Sequence, residues 1–293
     1  MRLSDTSKDF EKIEELSHVE KTKNTLNITV PKYFKKITDS KATPNDSSLK
    51  EVIRWRTIIT DGVEKFKKES KAYRDFFSEE NMEEFEEIDD PKAFKSELKK
   101  DCPIIRKTLN SRMEELQDWK EDFARARPSE LFDTFANFLD FQLTYAEENE
   151  STNFDDLSEL TEFEELRQFT ADKDLTLQNV IGAGISSTII YNLNPQYFCK
   201  SVRRTLYGLY FLTEDIHRFT PSGTSEFIMI DDNPRNSRRG SKYNFRMEHN
   251  YWYPFNLFML YINHVYKLLK EQLNSIGIDL DSQYRFVYVN TFL

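Results

Sequence analysis

Apolar side chains recur at steps of three and four residues along most of the chain, and this period constrains the fold more than any other feature. Early in the chain the stripe contains Val52, Trp55, Ile59, Val63 and Phe66. That spacing places apolar side chains on one face of an α-helix. The 293 residues include only seven glycines, which disfavours a turn-rich sheet protein. The sequence therefore predicts a mainly α fold.

Two short apolar segments depart from the helical period. One is Glu226 to Ile230, which an Asp-Asp-Asn-Pro turn closes, and the other is Tyr284 to Val289, near the end of the chain. Short segments rich in β-branched and aromatic residues are typical of strands. We predict that these two segments pair as a small two-stranded β-ribbon beside the helices.

Composition divides the chain into three parts. Residues 1–50 combine a short amphipathic segment, the alternating stretch Leu26 to Val30 and a polar linker, and they predict a loosely ordered arm. Residues 51–150 predict an acidic helical domain. The polar segment Glu147 to Asp156 marks a boundary. Residues 151–293 predict a second helical domain, which carries a glycine hairpin and the ribbon.

Charge is distributed unevenly along this chain of net charge −10. Residues 171–293 contain 13 Lys and Arg against 11 Asp and Glu, whereas the remaining 170 residues contain 28 against 40. Such an acidic first part argues against a general nucleic-acid coat protein, but it permits a local basic site in the second part. The acidic N-terminal helices are themselves a candidate surface for a protein partner.

Targeting and cofactor motifs are absent from the sequence. Residues 1–10 carry charges and no apolar core, and the chain has no run of about 18 apolar residues, so we expect a cytoplasmic protein without a membrane span. Cys102 and Cys199 lie far apart and form no metal-ligand pair, which suits reduced thiols. No dinucleotide fingerprint, P-loop or nucleophile elbow is present. We therefore expect no cofactor, no metal and no enzyme of a common class.

The segment Val180 to Phe198 holds Gly182 and Gly184 between apolar flanks, followed by Ser186 and Ser187. Over about 20 residues this pattern resembles the helix-hairpin-helix motif of base-excision DNA glycosylases and other DNA-binding proteins. The resemblance implies that N–H groups near these four residues hold a backbone phosphate of DNA.

The same resemblance does not extend to the chemistry of the glycosylases. Those enzymes place a catalytic Asp shortly after the second helix, and Asn194 to Arg204 contains no carboxylate. The hairpin lysine of the bifunctional members is also missing. We therefore expect phosphate contact without glycosylase activity. The alternative interpretation is a glycine-tight helix–helix corner that binds nothing.

Basic residues follow the hairpin. From Leu175 to Thr213 the chain has no Asp or Glu at all. The cations that we assign to phosphate contact are Lys200, Arg203, Arg204, Arg238 and Arg239. The first three would share one helix face, and the last two stand in a polar loop. The alternative is ordinary solvated charge that balances the acidic first part.

Two hypotheses of function follow. The first is a non-catalytic nucleic-acid-associated protein, an accessory factor in DNA repair or prokaryotic defence, that contacts phosphate through the hairpin and its cations. The second is a protein-interaction module that acts through its acidic helices without nucleic acid. A minor alternative places a nuclease-like metal site at Glu226, Asp231 and Asp232, although carboxylates after a strand more often form turns.

Overall fold

The computed structural model describes residues 12–39, 47–213, 225–231, 246–250 and 252–293. These residues are mainly helical, as the periodicity predicts. The helices are α1 (Leu16–Asp39), α2 (Ser47–Phe76), α3 (Glu79–Ile88), α4 (Pro91–Asp101), α5 (Pro103–Asn110), α6 (Gln117–Arg125), α7 (Pro128–Glu148), α8 (Gln168–Ala171), α9 (Ala183–Leu193), α10 (Arg203–Thr213), α11 (Phe255–Ser275) and α12 (Arg285–Phe292). Segments of 3₁₀-helix cover Glu114–Leu116, Leu160–Arg167 and Ser282–Tyr284, and two strands are β1 (Ile228–Asp231) and β2 (Arg246–His249).

Local chemistry sets several helix boundaries. Helix α3 begins after Ser78, whose hydroxyl accepts a hydrogen bond from the N–H of Asn81. Helix α4 begins after Asp90, whose carboxylate accepts from the N–H groups of Lys92 and Ala93. These side chains satisfy N–H groups that the first turn of a helix leaves unpaired. Prolines occupy the first positions of α4, α5 and α7, where the missing N–H costs nothing.

Helix α1 corrects the prediction of a loosely ordered arm. Leu26 and Val30 are completely buried, whereas Ile28 between them is 72% exposed. Residues four apart share one face of a helix and the residue midway between them faces away, so the pattern that resembled a strand is also a helical one. The prediction is therefore wrong for residues 16–39, which form one continuous helix.

One core crosses the boundary predicted near residue 150. Helix α1 packs on α10 and α11, while α9 and α12 both pack on α2. Phe34 of α1 stacks on Trp55 of α2 with ring centroids 4.3 Å apart. Phe66 of α2 meets Tyr191 of α9 edge-on at 5.3 Å. In the described residues the two helical domains that composition predicts therefore share a single apolar core.

The predicted pairing of the two strand segments is wrong. Strand β1 pairs antiparallel with β2, with Ile228 opposite His249. The segment Tyr284 to Val289 is instead helical over most of its length, because α12 begins at Arg285. Its residues Phe286, Val287 and Val289 are all buried. A helix buried on every side shows no period, and its short apolar run cannot be told from a strand.

Candidate nucleic-acid interface

The glycine segment folds as a tight turn followed by helix α9. The N–H of Leu177 donates to the carbonyl of Ile181 over 2.9 Å, and the N–H of Ile181 donates back over 2.8 Å. Asn179, inside this turn, has a left-handed φ of 62°, which asparagine tolerates better than most residues. Helix α8 ends at Ala171, so the irregular residues 172–182 precede α9.

The two glycines are not required by conformation or by space. Gly182 is the N-cap of α9 and has φ −117° and ψ 179°, an extended backbone that any residue adopts. A Cβ added at Gly182 would meet nothing within 4 Å, and one at Gly184 would lie 3.7 Å from the carbonyl oxygen of Ser201. Gly182 is nevertheless exposed, and no side chain of the described residues caps this helix. The first N–H groups of α9, with their partial positive charge, therefore lack a side-chain partner.

Ser186 and Ser187 point into the protein. Both side chains are fully buried. The Ser186 hydroxyl donates to the carbonyl of Gly182 over 3.2 Å, and the Ser186 N–H donates to the same carbonyl over 3.2 Å. The Ser187 hydroxyl donates to the carbonyl of Ala183 and accepts from the N–H of Ser201 over 2.9 Å. These hydroxyls therefore join α9 to the segment before α10 and are already engaged.

Lys200 lies at the junction of α9 and α2. It is half-buried, and its Nζ lies 5.0 Å from the centre of the Tyr191 ring. Burial lowers the pKa of Lys200, and the charge of Glu69 partly opposes that effect. Lys65, also on α2, adds a second cation nearby. The sequence could not indicate these two neighbours, because they stand more than a hundred residues earlier in the chain.

Arg203 and Arg204 are exposed on the first turn of α10 but face different neighbours. The Arg203 guanidinium lies 5.4 Å from the centre of the Tyr207 ring. The pKa of His249 on β2 is lowered to about 4, first by burial and then by the charge of Arg203. Arg204 instead lies close enough to Lys200 for its charge to lower the lysine pKa. The three cations therefore surround the start of α10 rather than share one face.

The starts of α9 and α10 lie side by side. Ser201, two residues before α10, donates its N–H to the hydroxyl of Ser187 in α9 over 2.9 Å. A Cβ added at Gly184, the second residue of α9, would lie 3.7 Å from the Ser201 carbonyl oxygen. Each helix places the positive end of its dipole at this point. Lys200 is the one charged residue in the segment between the two helices, residues 194–202. This arrangement can attract an anion, and Glu69 is the carboxylate that opposes it from α2.

The remaining predicted site residues do not contribute to this geometry. Arg238, Arg239 and Asp232 lie outside the described residues. Glu226 is buried, and its Oε2 lies 3.2 Å from Nε2 of His18. In the part of the chain that the structure describes, no three His, Cys, Asp or Glu side chains gather as a metal site requires.

Helix α3 presents a second charged surface. It has six exposed glutamates, Glu79, Glu80, Glu83, Glu84, Glu86 and Glu87. None of these carboxylates forms an ion pair with another described residue. Its opposite side is apolar, and Phe85 packs edge-on against Phe94 of α4 at 5.3 Å. The helix is therefore fastened by its aromatic side and presents carboxylates to solvent.

Comparison of the chain with protein-family models, with curated proteins and with solved structures gives no match. Among the helices of the described ranges, none combines the length and the apolar character that crossing a bilayer requires.

Proposed function

We propose that this chain is a non-catalytic, nucleic-acid-associated protein that contacts backbone phosphates where α9 and α10 begin. The observation that carries the proposal is the 2.9 Å hydrogen bond from the Ser201 N–H to the Ser187 hydroxyl, which joins α9 to the segment before α10. Lys200, Arg203 and Arg204 stand in or beside that segment. An accessory role, in DNA repair or in prokaryotic defence, would suit a protein that binds phosphate through backbone N–H groups and arginines alone.

The site would act mainly through backbone dipoles and two exposed arginines. The uncapped N–H groups that follow Gly182 would donate to phosphate oxygens. Arg203 and Arg204 would neutralise the neighbouring phosphates. Lys200 would contribute less directly, because it is half-buried beside Tyr191. Binding of this kind tolerates any base sequence and weakens steeply with salt.

The first experiment compares two charge-matched double variants. Arg203→Ala with Arg204→Ala removes the cations of the site, and Arg125→Ala with Arg127→Ala removes two exposed arginines elsewhere. Gel-shift titrations on a short duplex and on a single strand are made at several salt concentrations. We expect the site variant to bind more weakly and to lose about two units of salt slope, while the control behaves as wild type. Equal affinity of all three proteins would contradict the proposal.

Gly182→Val tests the backbone contact separately. The extended backbone at this position suits a β-branched residue, and a Cβ there meets no other atom, so the variant is expected to fold normally. If a phosphate approaches these N–H groups, the added methyl groups obstruct it and affinity falls at every salt concentration. Circular dichroism at the wild-type intensity assigns a loss of affinity to the site rather than to unfolding.

A second candidate function is protein interaction through α3. The six glutamates, which have no ion-pair partner in the described residues, would attract a basic surface of another protein. A photoreactive residue at Glu83 is expected to cross-link one defined partner in cells, whereas the same residue at Glu64 on α2, which pairs with Lys67, is not. Identical cross-linked products from both positions would reject this role.

A further inference from the structure

A cluster of ionisable side chains is buried where α1 meets the start of α11 and the segment before β1. Nε2 of His18 lies 3.2 Å from Oε2 of Glu226, and the Tyr253 hydroxyl donates to the same oxygen over 3.4 Å. The exposed fractions of the three residues are 2%, 5% and 1%. The Asn250 side-chain amide donates to the Glu226 carbonyl over 2.9 Å and fixes the position of the glutamate.

The cluster accommodates one proton between the histidine and the glutamate. With that proton the pair is an ion pair or a neutral acid bonded to a neutral imidazole, and in both cases it has no net charge. Without it, a carboxylate is buried with no opposite charge; with a second proton, an imidazolium faces a neutral acid. Either state is costly inside a protein. Among the described residues, His18 Nδ1 and Glu226 Oε1 have no hydrogen-bond partner.

The neighbouring ionisable groups add little charge beside the pair. The pKa of Glu15, an exposed carboxylate, is lowered first by its hydrogen bond with Lys12 and only last by the charge of His18. Burial raises the pKa of Tyr253 and of Tyr261 well above the ordinary value for tyrosine, so both phenols on this side remain neutral. Glu14, near the start of α1, is engaged by Arg167 at 2.9 Å. The pair therefore depends on its own shared proton.

Among the polar contacts that join α1 to later parts of the chain are those of His18, Lys23 and Asn27, and the His18 contact is the most deeply buried of these three. Lys23 donates to the Ser158 carbonyl over 3.0 Å at a partly buried position. Asn27 contacts Nε2 of His264 over 2.8 Å near the surface. The His18 contact alone among these three is closed off from solvent.

We propose that His18 and Glu226 form a one-proton latch that holds helix α1 against the C-terminal part of the protein. With one shared proton the pair stabilises the docked α1, which its buried residues Val30 and Phe34 also hold, and loss of that proton weakens docking. This inference does not depend on the proposed function.

The direction of the pH effect follows from the two states. In released α1 the pair is solvated, and it carries one proton between about pH 4.3, where glutamate titrates, and about pH 6.5, where histidine does. Burial raises the pKa of Glu226 in the docked state, which favours retention of the proton. Docking therefore weakens as pH rises above about 6.5, the pH at which the released pair loses its proton, and the linkage of one proton limits this change to about tenfold per pH unit.

Hydrogen exchange of the whole chain between pH 5.5 and pH 8.5 tests the latch. Protection of the amides of α1 is corrected for the intrinsic pH dependence of exchange, and α7 serves as the internal reference. We expect the opening constant of α1 to be level up to about pH 6.5 and then to rise by about tenfold per pH unit, while that of α7 changes less. An opening constant of α1 that follows α7 across this range would overturn the proposal.

Two variants assign the effect to the pair. His18→Gln with Glu226→Gln keeps a hydrogen bond of similar size that cannot titrate, so the alkaline rise is expected to vanish. His264→Gln changes the other histidine that contacts α1, at Asn27, and is expected to retain the rise. A rise that persists in the double variant would assign it to other groups and reject the latch. If the double variant does not fold, Glu226→Gln alone decides, because its amide can donate to neutral His18 and also removes the alkaline titration.

Discussion

Helices α1 and α9 both bury polar side chains, but His18 of α1 and the two serines Ser186 and Ser187 of α9 have partners at very different distances along the chain. In α9 the hydroxyls of Ser186 and Ser187 donate to carbonyls of their own helix, one turn earlier. In α1 the imidazole of His18 is satisfied by Glu226, more than two hundred residues away along the chain. A contact within a helix forms whenever the helix does, whereas the distant contact depends on docking and on proton concentration. This difference predicts that α1 can undock more readily than α9 while the rest of the fold persists.

The largest effect is expected from removal of one partner of the buried pair. His18→Ala leaves the Glu226 carboxyl buried without its partner, and we expect a loss of about 3–5 kcal/mol in the free energy of unfolding at pH 7. Arg125→Ala is the control, because the Arg125–Glu121 pair is exposed and is worth about 1 kcal/mol or less. Urea denaturation followed by circular dichroism measures both. Equal losses would show that burial of the pair has no energetic consequence.

A second effect concerns acid. Burial, followed by the charges of Lys23 and Lys267, lowers the pKa of His264 to about 4. A solvated histidine takes up its proton at about pH 6.5. The contribution of His264 is therefore fully present above that pH and is lost as pH falls from about 6.5 towards 4. We expect His264→Gln to reduce the loss of stability between pH 7 and pH 4.5, as measured by urea denaturation at both values.

If wild type and His264→Gln lose the same free energy between pH 7 and pH 4.5, the histidine is solvated in the folded protein, and α1 is less closely packed near Asn27 than the 2.8 Å contact indicates. His249, whose pKa is also lowered to about 4, then remains as a source of acid sensitivity that does not involve α1.

The same comparison explains how far the sequence predicts the fold. Stripes of period 3.6 identify helices correctly where only one face is buried, as at Trp55 and Phe66 of α2. At α1 the sequence pattern led to a wrong prediction, because the spacing of Leu26 and Val30 suits a strand as well as a helix and Pro31 suggests an interruption. It failed at α12, whose core residues occupy more than one face.

The candidate site was predictable in part. The absence of Asp and Glu from 175–213 and the cations of that segment can be seen in the sequence. The burial of Ser186 and Ser187 cannot, because a run of small polar residues does not specify which side of its helix the core covers. The approach of Glu69 to Lys200 joins two distant parts of the chain, and no local pattern encodes it.

The third prediction separates two hydroxyls within α9. Ser187→Ala removes the acceptor of the Ser201 N–H, which is buried, and we expect a loss of about 1–3 kcal/mol. Ser186→Ala removes a hydroxyl that donates only to Gly182, whose carbonyl already accepts a backbone N–H, and about 0.5 kcal/mol is expected. Thermal unfolding measures the two variants side by side. A larger loss for Ser186→Ala would show that the Ser187 hydroxyl is not the group that joins α9 to the segment before α10.

The smallest effect is expected at Gly184, and it has the opposite sign. Alanine has a higher helix propensity than glycine, and a Cβ at this position would lie in ordinary contact, 3.7 Å from the Ser201 carbonyl oxygen. Because the position is in the first turn of α9, we expect Gly184→Ala to stabilise the protein by about 0.5 kcal/mol rather than the full interior value. A small rise in the midpoint of thermal unfolding is the expected result. A lower unfolding midpoint would mean that the added Cβ lies closer than 3.7 Å to the Ser201 carbonyl oxygen and clashes with it. The two helix starts would then be held by backbone contact rather than by the Ser187 hydroxyl.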